Sequence, residues 1–267
     1  MSAPRGRRRK AKRPLFPPPA GLLPLAVLLA AWQLLGDPHA ADFPSPGAWI
    51  DAGRAVQDRG LLLPALGTTL LTFALALALA TLAGAALGTL LGASPAARRL
   101  LGPLTEFLRN FPPPAAVPVA VLLIGTTRAT TLAVVVAAAL WPIALNTQEA
   151  IDAVPRVRID AGRALGLGRG RQIASVIVPG VLPAVAVGVR IAAPICLIVV
   201  LLAEMLTSTG GVGGLVLERQ RQYDSAGVFA CLAIVGALGL LTSAAVGLAE
   251  RVLLRHQPPD HAEGNAP

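Results

Sequence analysis

Glu204, the acid in the run IVVLLAEM, is the residue whose setting most invites chemistry. A carboxylate flanked by that much hydrocarbon is costly against lipid. It could line a solute pathway, shape an outer gate, make a dimer contact or join a local hydrogen-bond set. Beside Thr207 and Ser208 it could equally sit in interfacial water. Covalent chemistry finds little to work with elsewhere. His39, His256 and His261 lie outside the long apolar segments, and no His/Asp or Cys/His cluster falls within one. Cys196 and Cys231 stand in apolar runs, where a thiol serves as small apolar filler, and no metal-ligand spacing is present. A phosphate-binding glycine loop needs a lysine in its turn. The only lysines, Lys10 and Lys12, are in the amino-terminal tail, without the required glycines before them or Ser/Thr after. The expectation is a chain that is not an enzyme, with no catalytic residue, cofactor or metal ligand of its own.

The second polar feature is the stretch 160–180, DAGRALGLGRGRQIASVIVPG, lying between long apolar segments. Pro155 suits a helix start, and Val157, Ala161, Ala164 and Leu165 then fall near one helical face. Gly166, Gly168 and Gly170 permit a sharp reversal. Ile173, Val176 and Ile177 mark a second amphipathic turn, whose continuation Pro179 and Pro183 limit. The spacing predicts two short helices around a glycine turn at a membrane surface. Such an element is either a basic interfacial anchor or a docking site for a cytoplasmic partner.

The elements that position these residues follow from composition. Hydrophobic residues make up 54% of the 267 and charged residues 14%, against about 25% charged in soluble domains. Residues 60–97, 110–127, 129–148, 172–189 and 225–249 contain no Asp, Glu, Lys or Arg, and a spanning helix needs roughly 20 such positions. The expected fold is an all-α integral membrane protein of about six transmembrane helices, near 20–36, within 66–91, 115–124, 130–145, 184–205 and 227–249. The segment 22–35 reads as a retained first helix rather than a secretion signal, because no small-residue cleavage site follows it. Gly84 and Gly88, four apart, offer a site of close helix packing.

A net charge of +9 invites a nucleic-acid partner, but 7 of the 23 basic residues lie within the first 13 positions. A basic tail ahead of an apolar segment marks a cytoplasmic end and also suits anionic lipid. With six spans, 18 basic residues fall on the side of the amino-terminal tail and 5 on the other. Both termini and the 160–180 loop, between spans four and five, are therefore expected in the cytoplasm. Arg190 is expected to snorkel to that interface, and Trp141 to cap a span there.

The loop also resembles the cytoplasmic loop of binding-protein-dependent ABC importer permeases: Glu-Ala-Ala, three residues, Gly, nine residues, Ile-x-Leu-Pro. Here Asp160-Ala161-Gly162, Gly166 and Val176-Ile177-Val178-Pro179 stand at every matching spacing. Asp replaces Glu, Gly162 replaces the second Ala, and Val replaces Ile and Leu. LRNFPPPAAVP (108–118), Ile124-Gly125, NTQEAIDAVP (146–155), LLAEM (201–205), GGVGGLV (210–216) and SPGAW (45–49) are similar to further features of the permeases for nitrate, taurine, alkanesulfonates and related solutes. The resemblance covers about 20–252, as an importer transmembrane domain between a basic cytoplasmic tail (1–19) and a flexible one (253–267). It implies that Asp160, Ala161, Gly162, Gly166, Val176 and Pro179 form an ATPase-coupling loop. It also implies two permease chains, most simply a homodimer, two cytoplasmic ATPase subunits that bind ATP and Mg²⁺, and an extracytoplasmic solute-binding protein. The place would be the inner membrane of a prokaryote. The solute would be nitrate, a taurine-like sulfonate or a small heterocycle. Two other readings fit a polytopic chain: a secondary transporter, which calls for internal repeats and midplane ionisable groups, and a membrane-anchored interaction protein without a pathway.

Overall fold

The computed structural model describes residues 23–36, 42–166, 168, 171 and 178–254. In chain order the described helices are α1 (Leu23–Leu35), α2 (Pro46–Asp58), α3 (Leu62–Ala93), α4 (Pro95–Arg109), α5 (Pro113–Ile124), α6 (Arg128–Asp152), α7 (Arg156–Ala164), α8 (Val178–Thr207), α9 (Gly211–Arg221) and α10 (Ser225–Leu253). Four of them, α3, α6, α8 and α10, are long and apolar enough to cross a bilayer. A fifth span is available if α4 and α5, bent by 99° at their junction, count as one broken crossing. The fold is thus all-α and multi-span, with four to five apolar spans. The expected six require two short helices. α1 has 13 described residues and α5 has 12, about 18–20 Å of helix at 1.5 Å per residue, against a hydrocarbon core of roughly 30 Å.

Small side chains set the core. Ala76, Ala80, Gly84, Gly88 and Gly92 recur every fourth residue along α3, so they form one continuous stripe. A Cβ on Gly84 would come within 2.9 Å of the Ile143 side chain, and one on Gly88 within 2.6 Å of Thr147. From the other side, a Cβ on Gly188 of α8 would lie 2.8 Å from the Ile143 Cα. α6 is therefore clamped at Ile143 between glycines of two neighbours. Between lipid-facing helices, such close packing supplies the attraction that water would otherwise drive. Phe73, Leu77, Val135, Ala139, Ala192, Cys196 and Val200 fill the rest of this core. Cys196 and Cys231 are both buried free thiols. Threonines within the spans donate to the carbonyl four residues back, as Thr72, Thr81, Thr147 and Thr242 do. Their hydroxyls are thereby satisfied without water.

Several expected boundaries move. α8 starts at Val178 rather than near 184, and it contains both Pro179 and Pro183. Proline in a first turn forfeits an amide that has no intrahelical partner there, so Pro179 is accommodated in the first turn of this helix. α6 runs eleven residues past Trp141 to Asp152; Trp141 stands in mid-helix, not at a span end. α4 is a helix the sequence reading omitted. It lies across α5 and exposes Leu100, Leu104 and Phe107. Arg190 does more than snorkel: its guanidinium lies 3.6 Å from the Glu250 carboxylate of α10.

Candidate functional site: a buried carboxylate and a surface helix

Glu204 and the 160–166 segment lie at opposite ends of the bundle. From Val178, the start of α8, to Glu204 is 26 residues, about 39 Å along the axis. Glu204 is 1% exposed, which removes the reading of a carboxylate in interfacial water. Thr69 of α3 donates its hydroxyl to the carboxylate, at 2.9 and 3.0 Å from the two oxygens. The Gly213 amide donates to Oε2 at 3.0 Å. The Thr69 oxygen in turn accepts from the Val212 amide at 2.9 Å. One acid and one hydroxyl thus tie three helices together.

The sequence builds this arrangement through backbone chemistry. Gly210 caps α9 and has no side chain to offer its amides. Glu204 and Thr69 take over that task, and the negative charge sits at the positive end of the α9 dipole. Gly211 holds φ +82°, and a Cβ there would collide with the Glu204 carboxyl group. A Cβ on Gly213 would come within 2.9 Å of the Glu204 Cβ. The GGVGG run is therefore a close approach of backbone to carboxylate. Next to it, Thr131 of α6 meets Thr207 at 3.2 Å, and Thr207 meets Thr209 at 2.9 Å.

A second buried ion, Arg219, entered the sequence analysis only within the count of 5 basic residues opposite the amino-terminal tail. Arg219 is 5% exposed, 3.5 Å from Asp224. Asp224 also caps α10, accepting from the Gly227 amide at 2.9 Å. The available signal was an acid directly ahead of the charge-free run 225–249. At the same end Trp32, Phe43, Trp49 and Phe229 form an aromatic cluster, with Trp49 stacked on Phe229 at 5.1 Å. The Trp49 ring N–H donates to the Pro44 carbonyl. The SPGAW segment is thereby fixed against α1 and α10.

At the other end, α7 carries Asp160, Ala161 and Gly162 in its second half. Asp160 and Ala161 are exposed and Gly162 is buried. The Leu165 amide donates to the Ala161 carbonyl at 3.0 Å, and Gly166 follows at φ +69°. This is a left-handed residue just past a helix, where glycine is favoured. A Cβ at Gly166 would meet nothing within 4 Å among the described residues. Val157 and Leu165 stand 76% and 78% exposed on this segment. Pro179 belongs to α8, while Val176 falls outside the described residues, as do the basic tail, His39, His256 and His261. Arg98 of α4 pairs with Asp152 at the end of α6, 2.5 Å apart, so α4 is fastened at this end.

The described chain is thus a polytopic helical bundle with a short exposed helix between two spans. Residues 80–255 match the family described as binding-protein-dependent transport system inner membrane component, and the chain belongs to that family. It is a membrane permease subunit of an ABC importer, a non-catalytic component. It is 28% identical over 235 residues to the nitrate import permease protein NrtB of Leptolyngbya laminosa, covering 88% of this chain and 80% of that one. It is 27% identical over 251 residues to the bicarbonate transport system permease protein CmpB of Synechococcus elongatus, covering 88% and 90%. Among solved structures, an inward-facing conformation of the MetNI methionine ABC transporter shares its fold. The TM-score is 0.62 at 19% identity, over 72% of this chain and 96% of the other.

Proposed function

We propose that this permease admits a small anion across the inner membrane of a bacterium, driven by a separate ATPase that docks on α7 and the Gly166 turn. One observation carries the reading. The segment that combines the loop spacing of importer permeases with a short helix exposed among the described residues lies at the end of the bundle remote from Glu204. In this proposal α1 and α5 complete six spans, and the transporter domain runs over 20–252 between two cytoplasmic tails. The α7 end is cytoplasmic, as the 18-to-5 distribution of basic residues favours. Two permease chains, most simply identical, sit on two ATPase subunits, which bind ATP and Mg²⁺. An extracytoplasmic binding protein delivers the solute to the Glu204 end. Closure of the ATPases would move α7 as a rigid element and tilt the spans between two packed arrangements. Nitrate and taurine-like sulfonates are the solutes suggested by the sequence motifs. Nitrate and bicarbonate are those named for the relatives, so a small oxyanion is favoured over a heterocycle. Glu204 holds α9 in register as part of the outer gate.

The test is Gly166→Val in the complete complex. The expected result is normal permease abundance in the membrane, loss of ATPase co-purification or of solute-stimulated ATP hydrolysis, and loss of uptake. Normal values for all three would leave the segment an anchor and overturn the coupling role. Topology is checked separately on a background lacking Cys196 and Cys231. Arg54 and Arg221 are the outside reporters, since Arg221 is exposed whereas Arg219 is buried. Impermeant reagent added to intact cells should label Arg54→Cys and Arg221→Cys, and not Arg169→Cys.

A further inference from the structure

Two depressions adjoin at the Glu204 end of the bundle. The larger, about 620 Å³, lies between the start of α3 and α9 and contains both Glu218 and Arg221. The smaller, about 290 Å³, lies between α3 and the start of α6 and shares Pro64 and Thr68 with the first. Its charge is one-sided. Arg128 is the only ionisable residue in its lining, above Thr72, Leu71, Leu75 and Leu132. Arg128 has no carboxylate within ion-pair distance among the described residues. It also stands at the first position of α6, so the positive end of that helix adds to its field.

We propose that this cleft under Arg128 is a low-affinity site for a small oxyanion, entered from the larger depression. The inference rests on the anion-importer reading and names a place in the permease for that solute. The volume suits an anion of a few heavy atoms, such as nitrate or a small sulfonate. A planar guanidinium is the side chain best matched to paired oxyanion oxygens. The hydroxyls nearby do not strengthen the grip: Thr68 donates to the Pro64 carbonyl and Thr72 to the Thr68 carbonyl. One cation over apolar walls attracts an anion without holding it long, which is what a conducting site requires. The neighbouring depression, with acid and base together, offers no comparable net field.

A lipid phosphate at the membrane surface has the same chemistry, and the test separates the two sources. The full complex is placed in nanodiscs of zwitterionic phosphatidylcholine, with Cys196→Ala, Cys231→Ala and Thr72→Cys. Leu132→Cys replaces Thr72→Cys if the latter lowers abundance. Labelling rates are compared for a sulfonate-bearing and a trimethylammonium-bearing methanethiosulfonate. The anionic reagent should react about tenfold faster, the scale of electrostatic focusing in a cleft. Nitrate or methanesulfonate should slow it severalfold relative to chloride at equal ionic strength, so that screening is held constant. Arg128→Gln should abolish both the preference and the protection, and Arg128→Lys should keep part of each. Equal rates for the two reagents, no advantage of nitrate or methanesulfonate over chloride, or an unchanged preference in Arg128→Gln overturns the site. If added phosphatidylglycerol protects as nitrate does, the cleft holds lipid and the solute site is likewise overturned. ATPase co-purification is measured on the same purified complexes, and uptake on the same variants reconstituted into sealed phosphatidylcholine vesicles. A complex that transports yet shows no anion protection fails only the cleft. Protection in a chain that supports neither uptake nor ATPase binding fails the importer reading instead.

Discussion

Gly211 and Gly166 both hold a positive φ, +82° and +69°, in opposite surroundings. Gly211 is pressed against the Glu204 carboxylate, while Gly166 faces open space among the described residues. The first belongs to a lock closed by its own chain: acid, hydroxyl and two amides satisfy one another out of contact with water. The second belongs to a turn where a side chain would meet nothing among the described residues. The same demand for a positive φ thus serves a finished contact at one end and an exposed turn at the other. Damage should accordingly be read out as stability at Gly211 and as partnership at Gly166.

The largest expected effect is Gly211→Val. Backbone strain at a positive φ costs about 1–3 kcal/mol, and forcing a branched side chain into the carboxylate adds a comparable overpacking term. Thermal unfolding of the purified chain in detergent should show a large loss, with low abundance in the membrane. Glu204→Ala comes next, because it strands the Thr69 hydroxyl and the Gly213 amide in a buried site, at about 1–3 kcal/mol per unmet group. Glu204→Gln keeps an acceptor oxygen and should lose less. If its abundance and its uptake both match wild type across solute concentrations, the charge has no role in gating. Gly166→Val carries a similar dihedral strain, but no packing clash among the described residues adds to it. The spans keep their own hydrogen bonds, so unfolding temperature and abundance should stay near wild type while coupling fails. If Gly166→Val destabilises as Gly211→Val does, the contrast between the two ends collapses. The smallest effect is Arg98→Ala. The Arg98–Asp152 pair is close, but both side chains are 43% exposed, and such pairs contribute about 0–1 kcal/mol. Thermal unfolding should barely shift.

The long spans were legible because lipid demands continuous apolar runs, and three of them, α3, α6 and α10, sit on the charge-free stretches 60–97, 129–148 and 225–249. Their ends were not: Pro179 and Pro183 were read as breakers, although Pro179 falls in the first turn of α8, where proline is tolerated, and Pro183 is carried inside the helix. α4 left a signal that went unused: Ala97, Leu100, Leu101, Leu104 and Leu108 recur at helical spacing after Ser94, whose hydroxyl accepts from the Ala97 amide. α9 left almost none. Its glycines look like loop, and its amino terminus is held by Glu204 and by Thr69, which lies 143 residues from its Val212 partner. Glu204 could be picked out as an acid in an apolar run, but its partners could not. A hydrogen bond spanning half the chain has no local periodicity.

The stripe of small residues on α3 also bears on the order of events during synthesis. The end of α6 leaves the ribosome 59 residues after the end of α3, roughly 3–12 s later at 5–20 residues per second. Through that interval α3 waits in the bilayer without the helix it is shaped to receive. A stripe of large or polar side chains would recruit lipid or a wrong helix while it waited. Alanine and glycine present a shallow groove with little adhesion of its own, and the groove gains its value only when α6 arrives with a backbone able to enter it. The surface that makes the finished core tight is the same surface that keeps the nascent chain uncommitted.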